Sequence, residues 1–423
     1  MQPWDIHHRL SRESTGVSVP ACKNPLNLEE GKPTMIHKII GMIAVVSLLF
    51  VSPVLGAEKV KVGLVSTFTG GVAVIGEDMR DAFELALDHM GRKIGGLEVE
   101  VIYEDDDFKP DVGKQKTEKL VKRDRVDFVT GFIWSHVLLA SYKSVVGEGP
   151  FLISSNAGPS QIAGKLCHRD FFSTSWQNDQ TPMAMGEVMN QENIKSVYLM
   201  APNYAAGKNM MAGFKRTFKG EIAGEDMTKF PSQVDFSAEM AKIRSVNPAA
   251  VFIFYPGKFG PQFFKQYQQA GLYGKIPLYS VFTVDAISAP RLQDLAVGSL
   301  MTQMWSPDLD NATNKKFVGD FKKKYGKYPS FYAAQTYDAA FLIESAVKAA
   351  KGDLSKKDVM RAAMEKADFS SVRGNFRLGN NHFPIQDFYL RKTVKNAAGE
   401  YTFETVKTVL KDHQDPYASE CKM

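Results

Sequence analysis

Val60-Lys61-Val62-Gly63-Leu64-Val65-Ser66 runs into Thr67-Phe68-Thr69-Gly70-Gly71, and an apolar face of Ala82, Phe83, Leu85, Ala86 and Met90 follows. An apolar strand, a glycine-bearing loop and an amphipathic helix, in that order, make one strand–helix unit of a parallel sheet. The unit repeats outward from there. Residues 99–103 predict a second strand and 112–123 a second helix. Residues 126–130 predict a third strand, a helix follows Ser135, and 151–154 predict a fourth strand. The rhythm restarts with strands at 196–201, 250–255 and 277–282 and helices at 206–218, 236–245 and 261–270. A long amphipathic helix over 332–350 and late strands at 388–393 and 401–409 complete the pattern. This alternation predicts an α/β fold of two doubly wound parallel-sheet lobes joined by a hinge. The polar stretch 173–179 is the expected first crossing between lobes, with others at 304–308 and 383–388. Lobe 1 is expected to comprise 58–176 and 308–384, and lobe 2 to comprise 177–307 and 385–423.

Ligands of open parallel sheets bind beyond the carboxyl ends of the strands. That rule selects the loops 67–77, 132–135, 155–159, 203–207, 255–260 and 282–285, which belong to both halves. A ligand cleft between the lobes is the expected geometry. The loops carry Phe68, Phe132, Trp134, Tyr204, Tyr255, Phe259 and Phe282. Any one of these is ordinarily core. As a set at strand ends they suit a flat aromatic ligand, because offset or edge-on ring contacts add about 0.5–1.5 kcal/mol beyond area burial.

The chain has 423 residues, 44% hydrophobic and 23% charged, which fits two globular domains. The net charge of +5 is dispersed, with no basic run beyond Lys322-Lys323-Lys324, so no nucleic-acid partner is expected. No dinucleotide or phosphate-loop motif, no H-E-x-x-H and no C-x-x-C occur, and the histidines are scattered. No cofactor, no metal and no enzymatic activity are therefore expected. The acidic run Glu104-Asp105-Asp106-Asp107 reads as a solvated strand-end loop capping the next helix. Met35-Ile36-His37-Lys38, an apolar stretch to Val51 and Leu55-Gly56-Ala57 have the layout of a signal peptide over 35–57. Residues 1–34 are then expected to be a non-native upstream extension, and the protein periplasmic. Of three cysteines, Cys22 falls in that extension. Cys167 and Cys421 remain as an even pair in an oxidising compartment, where a disulfide is expected and two free thiols are the alternative.

The pieces Gly131-Phe132-Ile133-Trp134-Ser135, Ile153-Ser154-Ser155-Asn156-Ala157-Gly158-Pro159, Asn203-Tyr204-Ala205-Ala206-Gly207, Tyr337-Asp338-Ala339-Ala340 and Val372-Arg373-Gly374-Asn375-Phe376 occur in one order. In that order the chain resembles the Leu/Ile/Val-binding branch of the type I periplasmic binding proteins over essentially its whole mature length. The resemblance implies a monomeric solute-binding protein that hands a small-molecule carboxylate to the membrane permease and ATPase subunits of an ABC importer. It implies a ligand set of Phe68, Ile75, Trp134, Ser135, Ser155, Asn156, Ala157, Gly158, Tyr204, Tyr255, Phe282 and Thr283. Ser135 stands where the family holds the ligand carboxylate through a hydroxyl and a main-chain amide. Ala157 lacks the hydroxyl of the second contact, for which the amides of Ala157 and Gly158, or the side chains of Ser155 or Asn156, can substitute. Tyr204 is the aromatic contribution of the second half. Amino-acid binders of the branch place an acid after the strand ending near Phe282, whereas this chain reads Phe282-Thr283, with Asp285 three residues on as an alternative. Trp176-Gln177-Asn178-Asp179 and Asn381-His382-Phe383-Pro384 are similar to members that bind lignin-derived aromatic acids. An aromatic or phenylpropanoid carboxylate is the implied ligand. The alternatives are a branched-chain or other amino acid, or a ligand-sensing partner of a receptor.

Overall fold

A computed structural model describes residues 59–423. The expected upstream extension and signal peptide lie outside the described residues. Six strands form the first sheet: β1 (Val60–Ser66), β2 (Lys93–Ile94), β3 (Leu97–Asp105), β4 (Phe128–Gly131), β5 (Phe151–Ser154) and β6 (Phe171–Ser173), in the order β2-β3-β1-β4-β5-β6. The second sheet contains β7 (Ser196–Pro202), β8 (Glu221–Thr228), β9 (Ala250–Phe254), β10 (Leu278–Val281), β11 (Leu300–Gln303), β12 (Arg377–Leu378), β13 (Pro384–Lys395) and β14 (Tyr401–His413). Its parallel part runs β8-β7-β9-β10-β11, the same winding as β3-β1-β4-β5-β6. The fold is thus α/β with two doubly wound lobes of the type I periplasmic binding protein kind. One difference from a purely parallel design is that β13 pairs antiparallel with β11, β12 and β14.

The helices used below are α1 (Ala73–His89), α2 (Pro110–Lys119), α3 (Ser135–Ser141), α4 (Ser160–Ala163), α5 (Gln180–Gln191), α6 (Ala205–Thr217), α7 (Ser237–Val246), α8 (Phe259–Gln269), α9 (Ala289–Leu292), α10 (Ala312–Tyr325) and α11 (Phe331–Ala349). The strands β4, β5 and β9 are buried throughout and mostly apolar, because helices cover both faces. Ser330 caps α11: its Oγ accepts from Tyr332 N and Ala333 N and donates to Asp78 Oδ2 on α1. That bond fixes the start of the most buried helix against the first sheet's leading helix. Among the described residues no helix is long and apolar enough to cross a membrane.

The chain leaves the first sheet at Ser173 and enters α5 at Gln180. This connection is held from several sides. Thr174 Oγ1 donates to Gln335 O on α11 at 2.9 Å, and Ser175 O accepts from Arg373 Nη1 and Gln386 Nε2. Cys167 and Cys421 are disulfide-bonded, with Cα atoms 5.7 Å apart, so the tail after β14 is tied to the segment ahead of β6. The acidic run is solvated only in part: Asp107 is exposed and Asp105 half-buried, at the end of β3. Asp106 is fully buried and Glu104 nearly so, the latter gripped by Lys116 and Lys119.

Candidate functional site

Strand ends from both sheets converge on one small cavity. Ile133, Trp134 and Ser135 enter it from the end of β4, Asn156 and Ala157 from the end of β5, and Trp176 and Asn178 from the connection between sheets. The second sheet supplies Tyr204 after β7, Phe254 and Pro256 at β9, and Phe282 after β10, with Ala206 and Met210 from α6. Tyr332, in the first turn of α11, completes the wall.

Local backbone explains how these side chains arrive. Gly131 has φ +108, and a Cβ there would lie 2.1 Å from Val65 O, so only glycine lets β4 turn tightly enough to aim Trp134 inward. A Cβ on Gly158 would lie 1.9 Å from Trp176 O, so the β5 loop can press against the connection only without a side chain. Phe282 sits at φ 52, a left-handed conformation uncommon for a bulky residue, and its ring stacks on Trp176 at 4.4 Å and 23°.

Trp134 is oriented by a relay. Its Nε1 donates to Thr67 Oγ1 at 2.8 Å, and Thr67 Oγ1 donates to Asp106 Oδ1 at 2.6 Å. Burial pushes the Asp106 carboxyl up to about 6, against the bonds from Thr67 and Phe108 N that lower it. Asn178 joins three segments. Its Nδ2 donates to Ser135 Oγ at 3.1 Å and to Asn209 Oδ1 at 3.2 Å, and its Oδ1 accepts from Gly158 N at 3.3 Å. Ser135 is the first residue of α3, not its cap. Its oxygen is occupied as an acceptor, which leaves its proton to donate into the cavity. Trp176 Nε1 is buried with no partner. Neither the Tyr204 nor the Tyr332 hydroxyl has a hydrogen-bond partner among the described residues, and burial holds both phenols well above their ordinary pKa.

Of the residues expected from sequence, Trp134, Ser135, Asn156, Ala157, Tyr204 and Phe282 line the cavity. Six others do not. Phe68 lies edge-on to Tyr103 at 6.0 Å. Ile75 is fully buried, and its Cδ1 would lie 3.2 Å from a Cβ on Gly257. Ser155 Oγ bonds Gly131 O and Thr336 Oγ1. Tyr255 OH meets Thr228 Oγ1, and Thr283 Oγ1 bridges Tyr255 N and Val281 O, so these two tie strand ends together. Gly158 acts through its close approach to Trp176. The main-chain amides of Ala157 and Gly158 are already engaged, by Phe132 O and Asn178 Oδ1 respectively, and the Asn156 side chain bridges Ile133 O and Gln335. The free donors of the cavity are instead Ser135, Trp176, Tyr204 and Tyr332. Asp285 does not line the cavity; its Oδ1 turns back to Ile287 N and Ser288 N. Burial pushes its carboxyl up to about 6.

Two doubly wound lobes that close over a small cavity at their strand ends define a periplasmic-type solute-binding protein. The chain belongs to the periplasmic binding protein family, whose profile matches residues 59–399. It is 32% identical to a solute-binding protein of an ABC transporter from R. palustris solved with benzoate, at a TM-score of 0.81 over 86% of this chain and 100% of that one. It is 28% identical to another from Rhodopseudomonas palustris BisB5 solved with 3,4-dihydroxybenzoic acid, at a TM-score of 0.78 over 85% and 99%. Among curated sequences it is 28% identical to Leu/Ile/Val-binding protein homolog 6 of Brucella abortus (strain 2308), covering 83% of this chain and 92% of that one. The chain is an ABC-transporter solute-binding protein, a class that binds small molecules and delivers them to a permease and ATPase.

Proposed function

We propose that the protein captures an aromatic carboxylic acid in the interlobe cavity and delivers it to an ABC importer, without turning it over. The observation that carries this reading is the cavity's chemistry: six aromatic side chains (Trp134, Trp176, Tyr204, Phe254, Phe282, Tyr332) and no charged one among its described lining residues. An α-ammonium enclosed there would lack a carboxylate partner, at a cost of several kcal/mol. A carboxylate is accommodated by neutral donors, of which Ser135 Oγ, Trp176 Nε1 and two phenols are free. The relatives solved with benzoate and dihydroxybenzoic acid support the same class.

Lobe limits near the three crossings, a monomeric state, and export through the signal peptide with a mature start near Glu58 belong to this reading. N-terminal sequencing of exported protein tests the last point, and recovery of residues 1–34 would overturn it. Calorimetry with leucine, benzoate and coumarate at equal concentration tests the ligand class. Tight leucine binding with no response to the aromatic acids would overturn it and turn attention to the unpartnered Asp285 Oδ2.

A further inference from the structure

Outside the cavity, the mouth of the cleft is crossed by rings from both sheets. Phe108 lies in the loop between β3 and α2, and His136 in the first turn of α3; both belong to the first sheet's lobe. Phe230 follows β8 in the second sheet's lobe. None of the three lines the cavity. Phe108 meets Phe230 at 5.2 Å and 76°, and His136 meets Phe230 at 5.8 Å and 84°, both edge-on. The outer rings are braced by the inner ones: Phe108 packs on Trp134 at 4.3 Å, and Phe230 stacks on Tyr204 at 4.3 Å and 13°. The inner rings, Trp134 and Tyr204, do line the cavity and lie 6.4 Å apart across the cleft.

The Phe108 loop is built to aim that ring. Asp107 and Phe108 have φ 48 and 63, and Phe108 N is held by Asp106 Oδ1 at 2.9 Å, the same carboxylate that receives Thr67. Two successive non-glycine residues in the left-handed region are costly and persist only where the surroundings fix them. Phe108 and Phe230 are only half-buried, so neither is core of its own lobe.

We propose that Phe108 and Phe230 form an aromatic latch that sets how long the closed protein keeps its ligand, without touching the ligand. They are positioning residues: they act by holding Trp134 and Tyr204 together over the cavity. The proposal rests on the cavity being the ligand site. Edge-on ring pairs contribute enough that losing the pair should be felt as about a tenfold change in an equilibrium or rate constant. Because the latch exists only when the lobes meet, that change should fall on dissociation.

The test is stopped-flow tryptophan fluorescence with benzoate on wild type, Phe108→Leu, Phe230→Leu and the double variant. Dissociation should accelerate about tenfold in the double variant, with association changed less than about threefold and the melting temperature of ligand-free protein nearly unchanged. Unchanged dissociation, or a loss of ligand-free stability that accounts for the whole effect, would overturn the latch. If wild type binds none of the acids tried, the cavity reading fails and the latch, which rests on it, is overturned with it; binding with unchanged dissociation overturns the latch alone.

Discussion

Arg373 Nη2 lies 2.8 Å from Asp338 Oδ2, with both side chains buried, and the same guanidinium donates from Nη1 to Ser175 O at 3.1 Å and to Gln386 Oε1 at 3.0 Å. Asp338 is further held by Ser371 Oγ and Val372 N. One buried fork thus joins α11, the connection that leaves the first sheet and the start of β13. Arg373→Ala should destabilise the protein by about 3–5 kcal/mol, since it leaves the Asp338 carboxylate buried and without its cation. Arg373→Lys should recover only part of this, because a single ammonium cannot bond Asp338, Ser175 and Gln386 with the same planar geometry. Urea unfolding measures both. A loss under 1 kcal/mol for Arg373→Ala would mean that Asp338 is satisfied without it.

Much of this architecture is legible in the sequence, for a definite reason. Strands covered on both faces announce themselves: Val60–Ser66 and Phe151–Ser154 are buried apolar runs that match the expected bounds. The edge strand Glu221–Thr228 was not expected, because an edge half open to water carries Glu221, Glu225 and Asp226 and has no apolar rhythm. The short β11 was also missed, since Thr302 and Gln303 interrupt its apolar character although both are buried. In the site, side chains that follow directly on strand ends (Trp134, Ser135, Tyr204, Phe282) could be placed from the order of elements. Tyr332 and Met210 could not, because they come from helices whose distance from the cleft depends on tertiary packing. Asp106 reads as part of a solvated run, and nothing in its neighbours announces that its carboxylate holds both Thr67 and Phe108 N.

The disulfide closes a loop between residues 254 positions apart, so it removes much chain entropy from the unfolded state. Cys421→Ser should cost about 2–5 kcal/mol. The tail should stay docked, since Asn381 Nδ2 bonds both Ala163 O and Asp415 Oδ2 at 2.8 Å and Asn380 Nδ2 bonds Ala418 O. Denaturation with and without reductant checks this. Wild type under reductant should match the variant, and unequal midpoints would show that the substitution does more than remove the bond.

His136 gives the closed state a pH dependence. Burial among Phe108, Tyr204 and Phe230 drops its pKa to about 4. An opened cleft hydrates the ring and returns it toward about 6.5. The closed form therefore binds fewer protons, so closure is fully favoured above the open-state pKa and is lost as pH falls from there toward 4. Affinity for the best-bound acid should weaken by about ten- to thirtyfold between pH 8 and pH 5. Tyr204 stays neutral across this range. Asp106, pushed up to about 6, is the other titrating group near the mouth and reaches it through Thr67 and the backbone of Phe108. His136→Gln tests this: it should flatten the profile, and a profile equal to wild type would place the dependence on a carboxyl pushed up to about 6, Asp106 or Asp285.

Trp176 offers the sharpest test of the cavity, because its two roles can be divided. Its ring stacks on Phe282 and meets Phe331 edge-on at 5.9 Å, while its indole N–H is buried without a partner. A buried donor left unpaired costs about 1–3 kcal/mol, a cost that a ligand oxygen could relieve on binding. Trp176→Phe keeps most of the stacking surface and removes the donor. If the N–H serves the ligand, the ligand-free protein should be no less stable than wild type, or slightly more stable, while affinity for benzoate falls about tenfold. Ser135→Ala is the companion variant. It removes the proton that Asn178 leaves free to face the cavity, and a charge-assisted bond to a carboxylate is worth about 1.5–3 kcal/mol, so affinity should fall about ten- to a hundredfold. Calorimetry and thermal unfolding on both variants separate the outcomes. Equal losses of stability and affinity in Trp176→Phe would make the tryptophan a packing residue, and full affinity in both variants would place the carboxylate against the phenols of Tyr204 and Tyr332.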